Sequence, residues 1–211
     1  MLEILYEDKY LIAVNKEPKM LTIASSNEKE RTLYHLVSEY VKKKNKRNKI
    51  FIIHRLDYDT SGIVLFAKDQ KTKEIMQDNW SSVRRNYLAV VTGVVKKDHD
   101  IIKSYLKETR TLLTYSTKKG GKLAKTEYTV IARDKNHSLL SINLLTGRKN
   151  QIRVQLKDIG NSIVGDSKYG TEKYKYMLLD ANELEFKHPI TNETILIEKK
   201  IPKYFINVDK N

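Results

Sequence analysis

The sequence has 211 residues, 40% of them hydrophobic, which suits a globular protein with a sizeable core and excludes a disordered chain. Forty Lys and Arg face 26 Asp and Glu, a net charge of +14. The first partner to consider is therefore a polyanion, nucleic acid before an anionic membrane, with a merely lysine-solvated surface as the plain alternative.

The absence of cysteine excludes disulfides and thiolate metal sites. His35, His54, His99, His137 and His188 are too dispersed for a short metal-ligand pattern, which leaves only carboxylate-held Mg²⁺ open. No stretch approaches the roughly 18 apolar residues of a membrane span. The N-terminal MLEILYED has neither the basic nor the apolar region of a signal peptide. The expectation is a cytoplasmic protein without a membrane anchor.

In chain order, Leu2–Tyr6 and Leu11–Asn15 are short apolar runs around an Asp-Lys turn and predict a hairpin. Thr32 opens a helix with Leu33, Leu36, Val37, Tyr40 and Val41 on one stripe. That helix runs into Lys42, Lys43, Lys44, Lys46, Arg47 and Lys49. These cations suit a helix C-terminus and equally suit RNA phosphate. Phe51–Ile53 and Ile63–Ala67 read as buried strands, and Asp69–Trp80 as a helix. Tyr87–Val95 and Ile101–Leu106 are further strands. Lys118–Lys125 reads as a basic Gly-containing turn, followed by a strand pair at Thr126–Ala132 and Ser138–Leu144. Lys149–Ile159 is predicted helical, with Ile152, Leu156 and Ile159 on one stripe and Gly160 as its stop. Strands resume at Leu184–Phe186 and Ile195–Glu198. Many strands, about three helices and no regular βαβ alternation predict an α+β fold with a largely antiparallel or mixed sheet, in one domain over 1–211.

The chemically rich segment is His54-Arg55-Leu56-Asp57-Tyr58-Asp59-Thr60-Ser61-Gly62, a polar loop between two buried strands. A lone loop Asp is usually a turn or capping residue, and two Asp at i and i+2 could hold a metal; spacing leaves these readings open.

This segment, continued as HRLDYDTSGIVLFAK, resembles the motif of the RluA family of pseudouridine synthases. Three more segments agree in order: ILYEDKYLIAVNK; Arg85-Asn86-Tyr87-Leu88-Ala89-Val90-Val91-Thr92-Gly93; and Leu145-Thr146-Gly147-Arg148-Lys149-Asn150-Gln151-Ile152-Arg153, followed by Gly165-Asp166 and Tyr169-Gly170. The resemblance covers roughly residues 2–205. Departures are Asn15-Lys16-Glu17-Pro18-Lys19 where the family often reads NKPxG, Asn150 where His is common, and Leu179-Asp180-Ala181 for Leu-His-Ala. They bear on target choice more than on activity.

The resemblance implies the pseudouridine synthase fold and a catalytic domain that isomerises uridine in structured rRNA or tRNA, without cofactor or metal. The glycosidic C–N bond breaks, the uracil turns, and the sugar is rejoined through carbon. Asp57 is then the catalytic carboxylate, Arg153 the cation that favours its charged form, and Tyr87 the aromatic against the base and a candidate proton acceptor. Without the motif, Tyr87 would read as core packing and Arg153 as a helix-surface cation. The target base must leave its stack, and Arg55 is placed to fill the gap. His54, Thr60, Arg148 and Lys149 complete the expected RNA-binding set, although His54 also reads as a structural loop histidine. Many family members carry an N-terminal S4-like domain. This chain starts in the catalytic hairpin, so the expectation is a monomer that finds RNA with its own surface. The other readings are an inactive RNA-binding or ribosome-assembly protein, and a Mg²⁺ nuclease using Asp57 and Asp59.

Overall fold

The computed structural model describes residues 2–24 and 32–205. The chain forms two compact units, Met1–Val83 with Ala181–Lys200, and Arg84–Asp180 with Ile201–Asn211.

The first unit begins with the predicted hairpin, β1 (Glu3–Glu7) and β2 (Leu11–Lys16). Asp8 builds its turn, its Oδ1 accepting from the backbone N–H groups of Tyr10 at 2.7 Å and Leu11 at 2.6 Å. Antiparallel to β2 runs β4 (Ser61–Ala67), and every residue of β4 is buried. The two-residue β3 (Phe51–Ile52) pairs with the end of β4. The other neighbour of β4 is β10 (Leu179–Lys187), whose residues from Ala181 onward belong to this unit. β10 forms a hairpin with β11 (Thr194–Glu198). Leu11, Ala13, Ile63, Leu65, Leu184, Phe186 and Ile197 share one apolar cluster.

Helix α1 (Leu33–Lys44) starts where Thr32 predicts, the Thr32 hydroxyl accepting from the His35 N–H at 3.2 Å. Its buried face is Leu33, Val37, Ser38 and Val41, while Leu36 is exposed. The apolar stripe is thus narrower than the sequence pattern. Helix α2 (Gln70–Asp78) is capped by Asp69 and gives way at Trp80–Ser82 to a 3₁₀ turn, so the predicted helix to Trp80 is two residues too long.

The second unit is an antiparallel sheet in the order β5-β9-β8-β6-β7. Its strands are β5 (Arg84–Thr92), β6 (His99–Glu108), β7 (Thr114–Thr117), β8 (Lys122–Arg133) and β9 (His137–Leu144). The basic segment read as a turn through Lys125 turns only before Lys122; Lys122 and Lys125 lie on β8, where strand pairing with β6 overrides the turn signal of Gly120-Gly121. Helix α3 (Gln151–Asp158) packs on one face of this sheet. All of Gln151–Leu156 is buried, far more than a single stripe. The helix ends as Gly160 predicts: Gly160 takes φ 85°, its N–H bonds to the Lys157 carbonyl, and the Asn161 N–H bonds to the Leu156 carbonyl, which is the Schellman arrangement.

Gly62 has φ +119°, and a Cβ built there would lie 2.3 Å from the Ala181 carbonyl oxygen and 2.5 Å from its nitrogen. The backbones of β4 and β10 meet where no side chain fits. Gly62→Ala should therefore cost about 3 kcal/mol or more, combining strained φ with a backbone clash. For a chain of this size that is roughly a 6–12 °C fall in Tm. Thermal unfolding by circular dichroism checks this, and an unchanged midpoint would contradict the close approach.

Candidate active site

In the first unit the polar loop between β3 and β4 is pinned on both sides of Asp57. The Thr22 hydroxyl, buried, donates to the Leu56 carbonyl at 2.9 Å and accepts from the Leu56 N–H at 3.2 Å. On the other side the Tyr58 carbonyl accepts from the Met20 N–H at 3.2 Å and from Lys16 Nζ at 3.1 Å. The Thr60 N–H closes the turn onto the Asp57 carbonyl at 3.2 Å. Segment 16–22 thus fixes the backbone on which Asp57, half-buried, is mounted.

Lys16 is the residue that sequence reasoning passed over. It is fully buried at the end of β2, and its ammonium donates to the carbonyls of Glu17 at 3.0 Å, Met20 at 2.8 Å and Tyr58 at 3.1 Å. Burial pulls its pKa down to about 8, against the opposing pull of Asp59, Asp57 and Glu17. The signal was present in Asn15-Lys16-Glu17-Pro18, where a charged residue ends an apolar strand.

The remaining loop residues differ in availability. Arg55 and Tyr58 are exposed. The ring of His54 stacks on Trp80 with centroids 4.4 Å apart, and its Nε2 accepts from the Leu65 N–H at 3.0 Å. That bond fixes Nε2 as the unprotonated nitrogen. Thr60 is buried, and its backbone N–H lies in the turn that closes on the Asp57 carbonyl. Asp57 and Asp59 gather no third carboxylate or histidine into a metal-binding group among the described residues.

The lysine run that begins in the last turn of α1 is partly committed, through Lys44. Glu7 takes Lys68 at 2.7 Å, Lys44 at 3.0 Å and the Tyr40 hydroxyl at 2.9 Å. Burial opposes its charge, but these donors outweigh it and hold its pKa at about 2.

In the second unit Arg153 is buried in α3, not on the helix surface. Asp166 meets it in a bidentate pair, Nε to Oδ2 at 2.8 Å and Nη2 to Oδ1 at 2.7 Å. Burial raises the Asp166 pKa, yet Arg153 and the backbone N–H groups of Lys168 and Tyr169 pull it below the ordinary carboxylate range. Asn150 Oδ1 accepts from Arg153 Nη1 at 3.1 Å, and the Tyr169 ring lies 5.2 Å from the guanidinium carbon. Asn150 itself sits at φ 52°, a left-handed position that Asn tolerates, and its Nδ2 donates to the Tyr169 hydroxyl. The motif residues Asn150, Asp166 and Tyr169 are thus the holders of Arg153.

Tyr87 lies on β5 opposite Ile142 and packs partly buried against the apolar cluster under α3. Arg85, two residues before it, bonds the Leu144 carbonyl at 3.0 Å; burial lowers its pKa and the Tyr87 hydroxyl opposes that shift. Arg148 is exposed, with Nε on the Leu123 carbonyl at 3.1 Å, and Lys149 is exposed and paired with Glu108. Helix α3 starts two residues later than expected, because the Gln151 side chain holds the preceding loop through the Thr146 hydroxyl and the Arg148 N–H.

Comparison with known proteins agrees on one class. A family model described as RNA pseudouridylate synthase matches residues 10–158. The Bacillus subtilis protein named uncharacterized RNA pseudouridine synthase YhcT is 32% identical over 208 residues, covering 95% of this chain and 69% of that protein. The Rickettsia bellii ribosomal large subunit pseudouridine synthase C is 32% identical over 216 residues, covering 97% and 70%. Among solved structures, human RNA pseudouridylate synthase domain containing 4 superposes with a TM-score of 0.81 at 20% identity, covering 96% of this chain and 90% of that one, a likeness of fold. Fold and sequence together define an RNA-modifying isomerase. The chain belongs to the RluA family of RNA pseudouridine synthases, enzymes that isomerise uridine in RNA to pseudouridine.

The depressed pKa of Lys16 has a definite sign in stability. Between about pH 8 and its unfolded value the unfolded chain binds more protons at this site, so this group adds stability as pH rises through that window. Lys16→Met should lower Tm at pH 7, since it strips the ammonium from three carbonyls. The gap to the parent should then widen from pH 8 to pH 10. Paired melting curves test this, and a gap that is constant or narrows with pH would contradict the buried ammonium.

Proposed function

We propose that this enzyme converts specific uridines in structured ribosomal or transfer RNA to pseudouridine, with Asp57 as catalytic carboxylate and the whole chain acting as one catalytic domain. The observation that carries the reading is the Asp57 loop. Its backbone is tied down at residues 56, 58 and 60, so the carboxylate is mounted on a rigid support while the exposed Arg55 stands beside it. A group that must attack or deprotonate at one atom of a bound nucleotide needs that rigidity.

Arg153 serves as the cationic partner that the family motif gives Asp57, and Tyr87 packs on the base and accepts the C5 proton released after the new carbon–carbon bond forms. Asp166, Tyr169 and Asn150 hold the Arg153 guanidinium in orientation. Arg55 fills the place vacated by the flipped uridine, and Arg148 and Lys149 contact phosphate. His54 shapes the loop and reaches RNA only through it. The similarity to the Rickettsia bellii ribosomal large subunit pseudouridine synthase C supports ribosomal RNA as the first substrate to test. Action as a monomer in the cytoplasm belongs to the same proposal.

Pseudouridine mapping in RNA from cells with and without the gene identifies the target as the position that disappears. On that RNA, Asp57→Asn should abolish isomerisation while RNA affinity stays within a few-fold, because phosphate contacts supply most of the affinity. Pseudouridine still formed at the parental rate by Asp57→Asn would sink the mechanism. An unmodified target with the parent enzyme would favour an inactive RNA-binding protein.

Tyr87→Phe separates packing from proton transfer. Loss of a proton acceptor should slow isomerisation by roughly 10²–10⁴-fold. A single-turnover rate within twofold of the parent would leave the ring with packing alone.

A further inference from the structure

On the outer strands of the second unit, strand register places an unusual set of side chains on one face. Lys103 of β6 pairs with Lys125 of β8, and Tyr105 of β6 with Leu123 of β8. On the other side of β6, Lys107 pairs with Tyr115 of β7. Paired residues of an antiparallel ladder share a face, as do residues two apart along a strand. These six therefore lie together, in rows that alternate lysine with aromatic or aliphatic side chains.

The opposite face of the same strands is fully used. Leu106, Thr114, Ala124 and Thr126 are buried there, and Gln155 of α3 donates to the Ser104 hydroxyl at 2.9 Å. The six-residue face is open instead. Tyr105 is 47% exposed, Tyr115 39% and Leu123 38%, and Lys103 and Lys107 are exposed as well. Lysines on exposed strands near a sheet edge guard against sheet-to-sheet aggregation. That accounts for Lys103, which lies beyond the span paired with the edge strand β7, but not for two tyrosines and a leucine turned to solvent beside it. Scattered single apolar residues need no explanation, whereas a contiguous row on a sheet face does.

Charge decides the occupant. Among the described residues Lys103, Lys107 and Lys125 have no carboxylate partner. Of the neighbouring acids, Glu108 pairs with Lys149, and Glu127 hydrogen-bonds His99 and Asn143. The exposed Arg148 adds a further cation next to Leu123. An open sheet face with exposed cations around aromatic side chains matches single-stranded nucleic acid, whose bases stack on rings while phosphates meet the cations.

We propose that this face of β6, β7 and β8 is an accessory platform for single-stranded RNA, with bases stacked on Tyr105 and Tyr115 and phosphates on Lys103, Lys107 and Lys125. The proposal rests on the reading of the chain as an RNA-modifying enzyme and adds a second place where RNA is held. It gives the enzyme grip on strand flanking a target without base-specific reading.

The test uses the full chain and a fluorescein-labelled ten-nucleotide oligouridine, with affinity followed by anisotropy across a salt series. Tyr105→Leu with Tyr115→Leu should weaken binding tenfold or more, because stacking is lost while apolar area stays. Tyr105→Phe with Tyr115→Phe should bind within about twofold of the parent. Lys103→Gln with Lys107→Gln should reduce the salt slope by about 1.4, or about 0.7 per phosphate. Should the leucine pair not fold, photocrosslinking of 4-thiouridine oligomers to the parent decides. Crosslinks in peptides bearing Tyr105 or Tyr115 support the platform, and crosslinks confined to other peptides overturn it. Leucine variants that bind like the parent overturn it too, as does a parent that makes pseudouridine in cellular RNA yet ignores oligouridine. If the face instead joins two copies of the chain, the leucine pair will abolish a dimer seen by sedimentation and leave RNA affinity unchanged, which also overturns it. A parent that neither binds RNA nor forms pseudouridine removes the underlying enzymatic reading, a result distinct from each of these.

Discussion

Lys16 brings an ammonium to a place without water, and three carbonyl oxygens are the condition on which it stays. An unpaired buried charge is among the costliest defects a fold can carry. The chain must therefore bring residues 17, 20 and 58 together around one nitrogen. Residues 17 and 20 follow β2 directly, whereas residue 58 is 42 positions away from Lys16. Satisfying the ammonium thus fastens the Asp57 loop to the end of the first hairpin. The Thr22 clamp on Leu56 fastens the other side of the same loop. A loop with polar backbone groups that must be paired becomes a rigid mount when a neighbouring segment supplies those partners.

The second unit solves the same problem with a different cation. Arg153 presents a planar fork, and a bidentate carboxylate is its natural complement. Asp166 provides that carboxylate, Asn150 takes another guanidinium nitrogen, and the Tyr169 ring lies close to the plane. Buried glutamines extend the polar framework: the Thr126 hydroxyl donates to Gln155 at 2.6 Å, and Gln151 donates to Thr126 at 2.9 Å. Every such group must be satisfied, so the start of α3 is determined by side-chain amides as much as by helix propensity. This is why α3 begins at Gln151 and not at Lys149.

Much of this was legible in the sequence, and the parts that were not have a common cause. Strand pairs such as β8 and β9 follow from local alternation, and the Thr32 cap and the Gly160 stop follow from the chemistry of helix ends. The HRLD segment stood out because a recurring motif joins residues whose individual meanings are ambiguous. Lys16 and Asp166 were invisible as partners because their roles arise from long-range pairing. No periodicity shows that a lysine will be surrounded by carbonyls, or that an aspartate in a Gly-Asp pair will meet an arginine 13 residues earlier. The turn expected through Lys125 failed for a related reason. Gly and Lys read as punctuation locally, while pairing with β6 recruits Lys122 and Lys125 into a strand.

The 40 basic residues therefore divide into groups with different physics. Lys16 and Arg153 are enclosed by fixed oxygens, so added salt screens them far less than it screens surface cations. Others on the surface are already neutralised by carboxylates, as Lys44 and Lys68 are by Glu7. Lys103, Lys107 and Arg148 remain exposed to solvent and its ions. For such groups the gain on meeting RNA comes from releasing counterions, and it falls as salt rises. Composition alone counts all 40 basic residues as one signal for a polyanion. Structure separates those that hold the protein's own chemistry in place from those free to hold another chain. The second kind dominates the salt dependence of RNA binding, while the first kind, shielded from solvent ions, responds to it far less.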